Sequence, residues 1–340
     1  AAAALFFQYS PKRRVAAVLS ILCVCETEAA PATRPCSSHL RSYEGSALFG
    51  REKATATRMS THMRGRGGGS QVLGKRAHPT TETQTNTEEV MDKKDFTVLS
   101  WNIEGLANDD LALRTQVCMT DVVQQSPTVV CFQEVIPSTL AQMQKSLRKH
   151  YVDPEEAGGI SANQNPAYFT KMWVKRESEC GLKVVDVVRK PYNVGSAMGR
   201  DMLRITLQDS HGNKVCVTTT HLESTAAQLK KRQEQFEEGL ADLKSHANRV
   251  GAKLSIFVGD LNMSSKDDKS PQLKSLTDGW VDAHPSAPTW DARTNKRVER
   301  MVNNDKTYCR FDRCYFGITH EGGFGGMGRG AGGGAGGGAG

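Results

Sequence analysis

The stretch Leu254-Ser255-Ile256-Phe257-Val258-Gly259-Asp260-Leu261-Asn262 decides how the rest of the chain is read. Residues 254–258 are a short apolar run rich in strand formers and predict a buried strand. A polar tip follows at once. Gly259 lets the backbone turn or a substrate approach closely. Asp260 and Asn262 are two apart, so in an extended chain both side chains face the same way. A carboxylate can take a proton from water and a carboxamide can orient a phosphoryl oxygen, so this tip suits metal or phosphate chemistry. An apolar strand ending in Gly-Asp is also an ordinary turn. What the other strand ends carry therefore decides its meaning.

Working outward, residues 96–101, 128–132, 202–207, 214–220 and 310–316 read as strands, and 168–174 with 182–188 as a strand pair. Helical spacing covers 111–125, with Arg114 and Asp121 on the wet side, and 138–150, with Ser138 as its cap. A long amphipathic helix spans 226–247 and places Lys230, Arg232, Glu234 and Glu237 in water. This alternation predicts an α/β sandwich. The strands end in similar chemistry: Asn102 and Glu104 after the first, Gln133-Glu134 after the second, then His221-Leu222-Glu223-Ser224-Thr225, Asp260 and Asn262, and Arg310-Phe311-Asp312-Arg313. Singly, Asn102 is a turn residue, Glu134 a solvated strand end, His221 a satisfied core histidine and Asp312 half of a surface ion pair. If the strands share one sheet edge, the five tips form one polar pocket.

The formal net charge of +7 invites a nucleic-acid reading, but residues 1–94 hold 14 Lys/Arg against 8 Asp/Glu, leaving 30 and 29 for the rest. The basic excess lies ahead of the folded part and says nothing about what that part binds. Nine cysteines without a Cys-x-x-Cys predict free thiols in a reducing compartment rather than a disulfide framework or a zinc site. Residues 1–58 imitate a signal peptide, with Lys12-Arg13-Arg14 before an apolar run too short for a membrane span. They read rather as non-native sequence ahead of Met59. Residues 60–94 are a basic, glycine-containing linker with a nuclear-import-like Lys75-Arg76 pair, so 1–94 is expected to be tail and linker, 95–320 the catalytic domain. From Gly322 onward thirteen of nineteen residues are glycine, which makes 321–340 a low-complexity tail.

The ordered set Trp-Asn-Ile-Glu-Gly-Leu, Gln-Glu-Val-Ile-Pro, Thr-His-Leu-Glu-Ser-Thr, Gly-Asp-Leu-Asn and Arg-Phe-Asp-Arg resembles the endonuclease/exonuclease/phosphatase superfamily. Within it, Gln133–Pro137, His221–Thr225 and Thr289-Trp290-Asp291 are most similar to the 5′-tyrosyl-DNA phosphodiesterase branch. The resemblance covers about residues 96–316. It implies a four-layer α/β sandwich of two mixed sheets flanked by helices. It implies a hydrolase that cleaves 5′-phosphotyrosyl bonds joining DNA to a trapped topoisomerase remnant. Mg²⁺, with Mn²⁺ as a substitute, would be the cofactor. The partners would be 5′-tyrosyl DNA and the topoisomerase-derived peptide, with no membrane; the chain is expected to be a monomer in the nucleus, with the cytoplasm as the alternative and secretion disfavoured. Glu134 matches the main metal ligand, and Glu104, standing where that branch has Asp, would be a second metal residue whose longer side chain binds through water. Asp260 matches the general base. Asn102, His221 and Asn262 match residues around the scissile phosphate, and Asp312 the carboxylate that orients a catalytic histidine. Tyr168, Arg200, Ser224, Thr225, Trp290 and Phe311 match the substrate-contacting wall.

Hard oxygen ligands, neutral amides and an imidazole are what attack on a phosphodiester anion requires. Aromatics can stack on bases and an arginine can hold a phosphate. The chain also departs from the pattern. Met263-Ser264 stand where the branch has Leu-Arg, and no Ser-Asp-His motif follows Asp312. The expectation is a sheet without its last strand, an unpaired edge and a poor catalyst. Two other readings stay open: another phosphodiesterase of the same fold, and a relative that only binds DNA or protein.

Overall fold

A computed structural model describes residues 5–9, 19–20, 42–43, 95–160, 167–268, 271–286, 288–304, 306–320 and 323–324. All of them belong to one compact unit formed by Ala1–Gly45 and Met91–Gly340. Lys75-Arg76 and most of the glycine tail lie outside the described residues. The strands in chain order are β1 (Leu5–Tyr9), β2 (Leu19–Ser20), β3 (Ser42–Tyr43), β4 (Phe96–Asn102), β5 (Val129–Val135), β6 (Tyr151–Val152), β7 (Phe169–Lys175), β8 (Lys183–Pro191), β9 (Asp201–Gln208), β10 (Lys214–His221), β11 (Ala252–Asp260), β12 (Val281–Asp282), β13 (Trp290–Asp291), β14 (Tyr308–Cys309), β15 (Asp312–His320) and β16 (Gly323–Phe324). The helices are α1 (Leu111–Gln125), α2 (Pro137–Leu147), α3 (Pro154–Ala157), α4 (Glu177–Cys180), α5 (Leu229–Val250), α6 (Ser265–Asp268), α7 (Pro271–Leu276) and α8 (Lys296–Val302).

Two mixed sheets carry the fold. One runs β1-β4-β5-β7-β6 and the other β12-β15-β11-β10-β9-β8, with β16 paired to β15. Their inner faces meet in a core of Val98, Val129, Met172, Leu203, Ile205, Val217, Ile256, Val258 and Phe316. On the outer face of the first sheet, Met119 and Val122 of α1 and Met143 and Leu147 of α2 cover Leu99, Trp101, Val130 and Phe132. On the outer face of the second, Phe236, Leu240 and Leu243 of α5 cover Phe257 and Tyr315. Helix, sheet, sheet, helix is the expected sandwich. Helix α1 has the bounds its periodicity predicts, because its buried stripe repeats at helical spacing.

Five expectations are corrected. The segment ahead of Met59 is not all tail. Residues 5–9 form a strand antiparallel to β4, with Leu5 and Phe7 1% exposed and the Phe7 ring 5.1 Å from Phe316. Alternation in Leu-Phe-Phe-Gln-Tyr sends alternate side chains into the core, so this edge of β4 is paired rather than open. Second, β7 and β8 do not pair: β7 lies between β5 and β6, while β8 pairs with β9 in the other sheet. Third, Arg114 and Arg232, assigned to water, are buried. Arg114 caps the carbonyls of Ile103, Glu104, Ala107 and Asp109, and Arg232 those of Glu223 and Thr225. Both stabilise the loops that carry strand tips. Fourth, the glycine-rich start of the tail does supply a strand, since Gly323–Phe324 pairs with Thr319–His320. Helix α2 starts at Pro137 rather than at a Ser138 cap, with Thr139 Oγ1 bonding the backbone of Ile136.

Candidate active site

Strand register builds the site. On parallel β10 and β11, His221 lies opposite Asp260. On antiparallel β11 and β15, Asp260 lies opposite Asp312. Three neighbouring strands therefore present His221, Asp260 and Asp312 in one row at a single sheet end. In the facing sheet, Asn102 at the tip of β4 lies opposite Gln133 on β5, one residue before Glu134. The Asn102 amide joins the two sheets: Nδ2 donates to Glu134 Oε1 and to Asp260 Oδ2, both at 3.0 Å. Gln133 bridges the same gap lower down, donating to Ser100 and Thr219.

Two glycines make this convergence sterically possible. A Cβ on Gly259 would lie 2.0 Å from the Thr220 carbonyl, so it is the neighbouring strand that comes close, not a substrate. A Cβ on Gly105 would lie 2.0 Å from the Glu134 carbonyl. Glu104, Glu134, Thr225 and Asn262 all have positive φ, between 49° and 71°. Left-handed backbone at non-glycine positions costs about 1 kcal/mol or more and gathers at functional sites.

Asp260 is buried, and burial raises its pKa. Its Oδ1 accepts from the Asn262 backbone, and its Oδ2 lies 3.6 Å from His221 Nε2. Burial, together with the Arg200 charge, pushes His221 well below its ordinary value. The imidazole is therefore neutral, and its 3.6 Å approach to Asp260 is dipolar rather than an ion pair. Arg200 Nη1 lies 2.6 Å from His221 Nδ1. A guanidinium only donates, so Nδ1 accepts and the ring proton sits on Nε2. Asp312 is buried, and its Oδ1 has no hydrogen-bond partner. Burial first, then Asp260 and Glu134, hold its carboxyl well above the usual range. Glu134 is half-buried, and burial, with added repulsion from Asp260 and Glu104, raises it too.

Two aromatic walls flank the row. The Arg200 guanidinium stands 5.0 Å from the Tyr168 ring centroid, and both line a small cavity with Met198 and His221. Trp290 and Phe311 pair with centroids 5.8 Å apart. Ser224 Oγ donates to Met198 Sδ, and Thr225 is exposed beside it. Asn262 Nδ2 donates to the Leu222 carbonyl at 3.0 Å, which fixes the orientation of its amide. Where the branch has Leu-Arg, Met263 is buried and Ser264 bonds Asp267.

Glu104 meets two guanidinium groups. Its Oε2 accepts from Arg297 Nε at 2.9 Å and lies 3.7 Å from Arg114 Nη1, while Arg297 also pairs with Asp109. Nothing in the local sequence flags Arg297, which is 193 residues away in the chain. Among the described residues no group of three or more His, Cys, Asp or Glu forms a metal cage. Glu134 nevertheless fits a hard cation, as a strand-tip carboxylate with repelling acidic neighbours. Mg²⁺ is commonly held by one or two carboxylates together with phosphate oxygens.

No family model matches the chain. Tyrosyl-DNA phosphodiesterase 2 of Gallus gallus is 32% identical over 237 residues, 67% of this chain and 58% of that protein. The solved structure of the Caenorhabditis elegans enzyme TDP2 is 26% identical, with a TM-score of 0.53 over 64% of this chain and 63% of that one. This chain is a relative of tyrosyl-DNA phosphodiesterase 2, in the endonuclease/exonuclease/phosphatase superfamily. The D. rerio TDP2 structure, solved with a single-strand DNA product, shares the fold at 24% identity and a TM-score of 0.52 over 64% of this chain and 82% of that one. The chain spans about three fifths of the length of the curated tyrosyl-DNA phosphodiesterase 2 relatives it matches. No helix among the described residues is long and apolar enough to cross a membrane.

Proposed function

We propose that this chain is a metal-dependent phosphodiesterase that hydrolyses 5′-phosphotyrosyl bonds on DNA and acts in the repair of topoisomerase adducts. The observation that carries the reading is the Asn102 bridge, which sets a carboxylate suited to a cation beside a buried carboxylate suited to be a base. Glu134 is the residue that would hold Mg²⁺, whose contribution there is to withdraw charge from the phosphoryl oxygens.

Asp260 takes a proton from water as the water oxygen bonds to phosphorus. Burial raises its pKa toward the working pH, which makes it the stronger base. Asn102 keeps its carboxylate aimed. The neutral His221 offers Nε2–H, and the Asn262 backbone N–H steadies Asp260 from the other side. The bond from phosphorus to the tyrosyl oxygen breaks. A tyrosyl phenol, with a pKa of about 10, leaves far more readily than a sugar alkoxide. A base therefore matters more here than a strong general acid. Tyr168 with Arg200, and Trp290 with Phe311, offer stacking faces for a single strand, in keeping with the DNA product bound by the D. rerio relative.

The test is release of tyrosine from a 5′-tyrosyl oligonucleotide by the full chain. Activity should vanish in EDTA and return with Mg²⁺ or Mn²⁺. Recovery with Zn²⁺ alone, or tight binding of the oligonucleotide without any turnover, overturns the assignment in favour of another hydrolase or a DNA-binding relative.

A further inference from the structure

Glu223 touches none of the groups placed around the phosphate, yet it is fully buried with 0% exposure. A buried carboxylate is costly unless its acceptor positions are used. Its Oε1 accepts from Ser196 Oγ at 2.6 Å and from the Met198 backbone N–H at 3.1 Å, while Oε2 has no partner. Ser196 Oγ in turn accepts from the Arg200 backbone N–H at 2.7 Å. The Glu223 backbone N–H donates to Gln235 Oε1, and Gln235 Nε2 donates to the Gly195 carbonyl, both at 3.0 Å. Glu223 and Gln235 thus lace the segment from Gly195 to Arg200 onto the His221–Thr225 loop. The end of that segment is Arg200, whose Nη1 meets His221 Nδ1.

We infer that Glu223 is a positioning residue: through Ser196 and the Met198 backbone it fixes Arg200, and through Arg200 it fixes the Nε2–H tautomer of His221. Free imidazole exchanges its proton between the two nitrogens. Only one form presents N–H to the row of Asp260 and the phosphate, and a guanidinium held against Nδ1 selects that form. The inference rests on the proposed phosphodiesterase reading for its kinetic consequence, but not for its structural one.

The experiment is ¹⁵N-histidine NMR of the full chain, with the His221 signal identified by its loss in His221→Asn, run alongside turnover of a 5′-tyrosyl oligonucleotide. The wild-type spectrum should show an unprotonated Nδ1 and a protonated Nε2 at His221. Glu223→Ala should mix the tautomers and lower kcat by about tenfold to 10²-fold, the range that small misplacement of a catalytic group costs. Glu223→Gln keeps an acceptor for Ser196 and Met198 and should retain the tautomer, with kcat within about threefold of wild type. Should Glu223→Ala not fold, Ser196→Ala removes the hydroxyl that joins Glu223 to the Arg200 backbone while Glu223 keeps its bond from the Met198 backbone, and it should shift the tautomer in the same direction. A lower melting temperature with an unchanged His221 tautomer in Glu223→Ala and Ser196→Ala overturns the inference and leaves Glu223 a residue of the fold. If no variant, wild type included, turns over the substrate, the enzymatic proposal fails while the spectra still decide this one.

Discussion

On one side of Asp260 the neighbouring strand presents His221, and on the other it presents Asp312. Backbone register makes both contacts, parallel on the first side and antiparallel on the second, but the electrostatics differ in sign. On the His221 side burial, together with the Arg200 cation that faces it, keeps the imidazole neutral. That flank is tied down by Glu223, Ser196 and Gln235. On the Asp312 side two buried carboxylates face one another, and Asp312 Oδ1 has no partner. Hydrogen bonds have organised the first flank in advance. The second stores repulsion that a proton, a cation or a donor would relieve. The backbone of His320 ends β15, eight residues from Asp312, which at a rise of about 3.3 Å per residue is roughly 26 Å along the strand.

The largest expected effect is at the residue both flanks share. Asp260→Asn keeps shape but removes the proton acceptor, so the rate should fall by roughly 10²–10⁴. Binding of a 5′-tyrosyl oligonucleotide, followed by fluorescence anisotropy, should change little. A collapse of binding together with rate would mean that Asp260 mainly holds the flanks together, and the contrast between them would lose its catalytic meaning.

The sequence made the tips legible and left their supports illegible. Asp260, His221, Asn102 and Glu134 stand at the ends of short apolar runs, and such runs bounded by turn signals announce fully buried strands. The sandwich follows from the same runs. A helical period assigns Arg114 and Arg232 to water because a buried arginine looks like a wet one in a periodic pattern. Only the irregular loop carbonyls around Arg114 and Arg232 draw them inward. At residues 5–9 a basic, alanine-rich context outweighs five residues of alternation. Their partner, β4, lies about ninety residues downstream, beyond the reach of any local pattern. The Arg297–Glu104 pair was hidden for the same reason.

A second prediction concerns stability at the repelling flank. Asp312 has a folded-state pKa raised above its unfolded value, so the folded protein binds this proton more tightly. Its contribution to stability is full below the unfolded value near 3.8 and is lost as pH rises through the folded value. Asp312→Asn removes that loss. The variant should melt higher than wild type near neutral pH, by an amount corresponding to about 1–3 kcal/mol, with the gain shrinking toward about pH 4. Activity should fall over the same substitution, a stability gain obtained at a functional site. A variant that melts lower than wild type at neutral pH would show that Asp312 is stabilising as an anion, and the two flanks would then be alike.

The smallest effect tests how far the second flank depends on Glu104. The Trp290 wall belongs to a segment closed by the Thr289-to-Cys309 and Ala292-to-Thr307 backbone bonds. Helix α8, capped by Asn295, places Arg297 of that segment against Glu104 and Asp109. Glu104→Gln keeps the length of the side chain and removes its charge. A hydrogen bond to a charged group is worth about 1.5–3 kcal/mol, and Asp109 still holds the guanidinium, so a residual of about 1 kcal/mol should reach the wall. KM for the tyrosyl oligonucleotide should rise about fivefold at nearly constant kcat, because the wall binds ground and transition states alike. The Mg²⁺ concentration for half-maximal activity should not move. If that midpoint shifts while KM stays fixed, Glu104 ligates the cation as its place in the motif suggests. The acidic flank would then be a metal flank on both sheets, and Arg297 would serve only to hold the ligand in place.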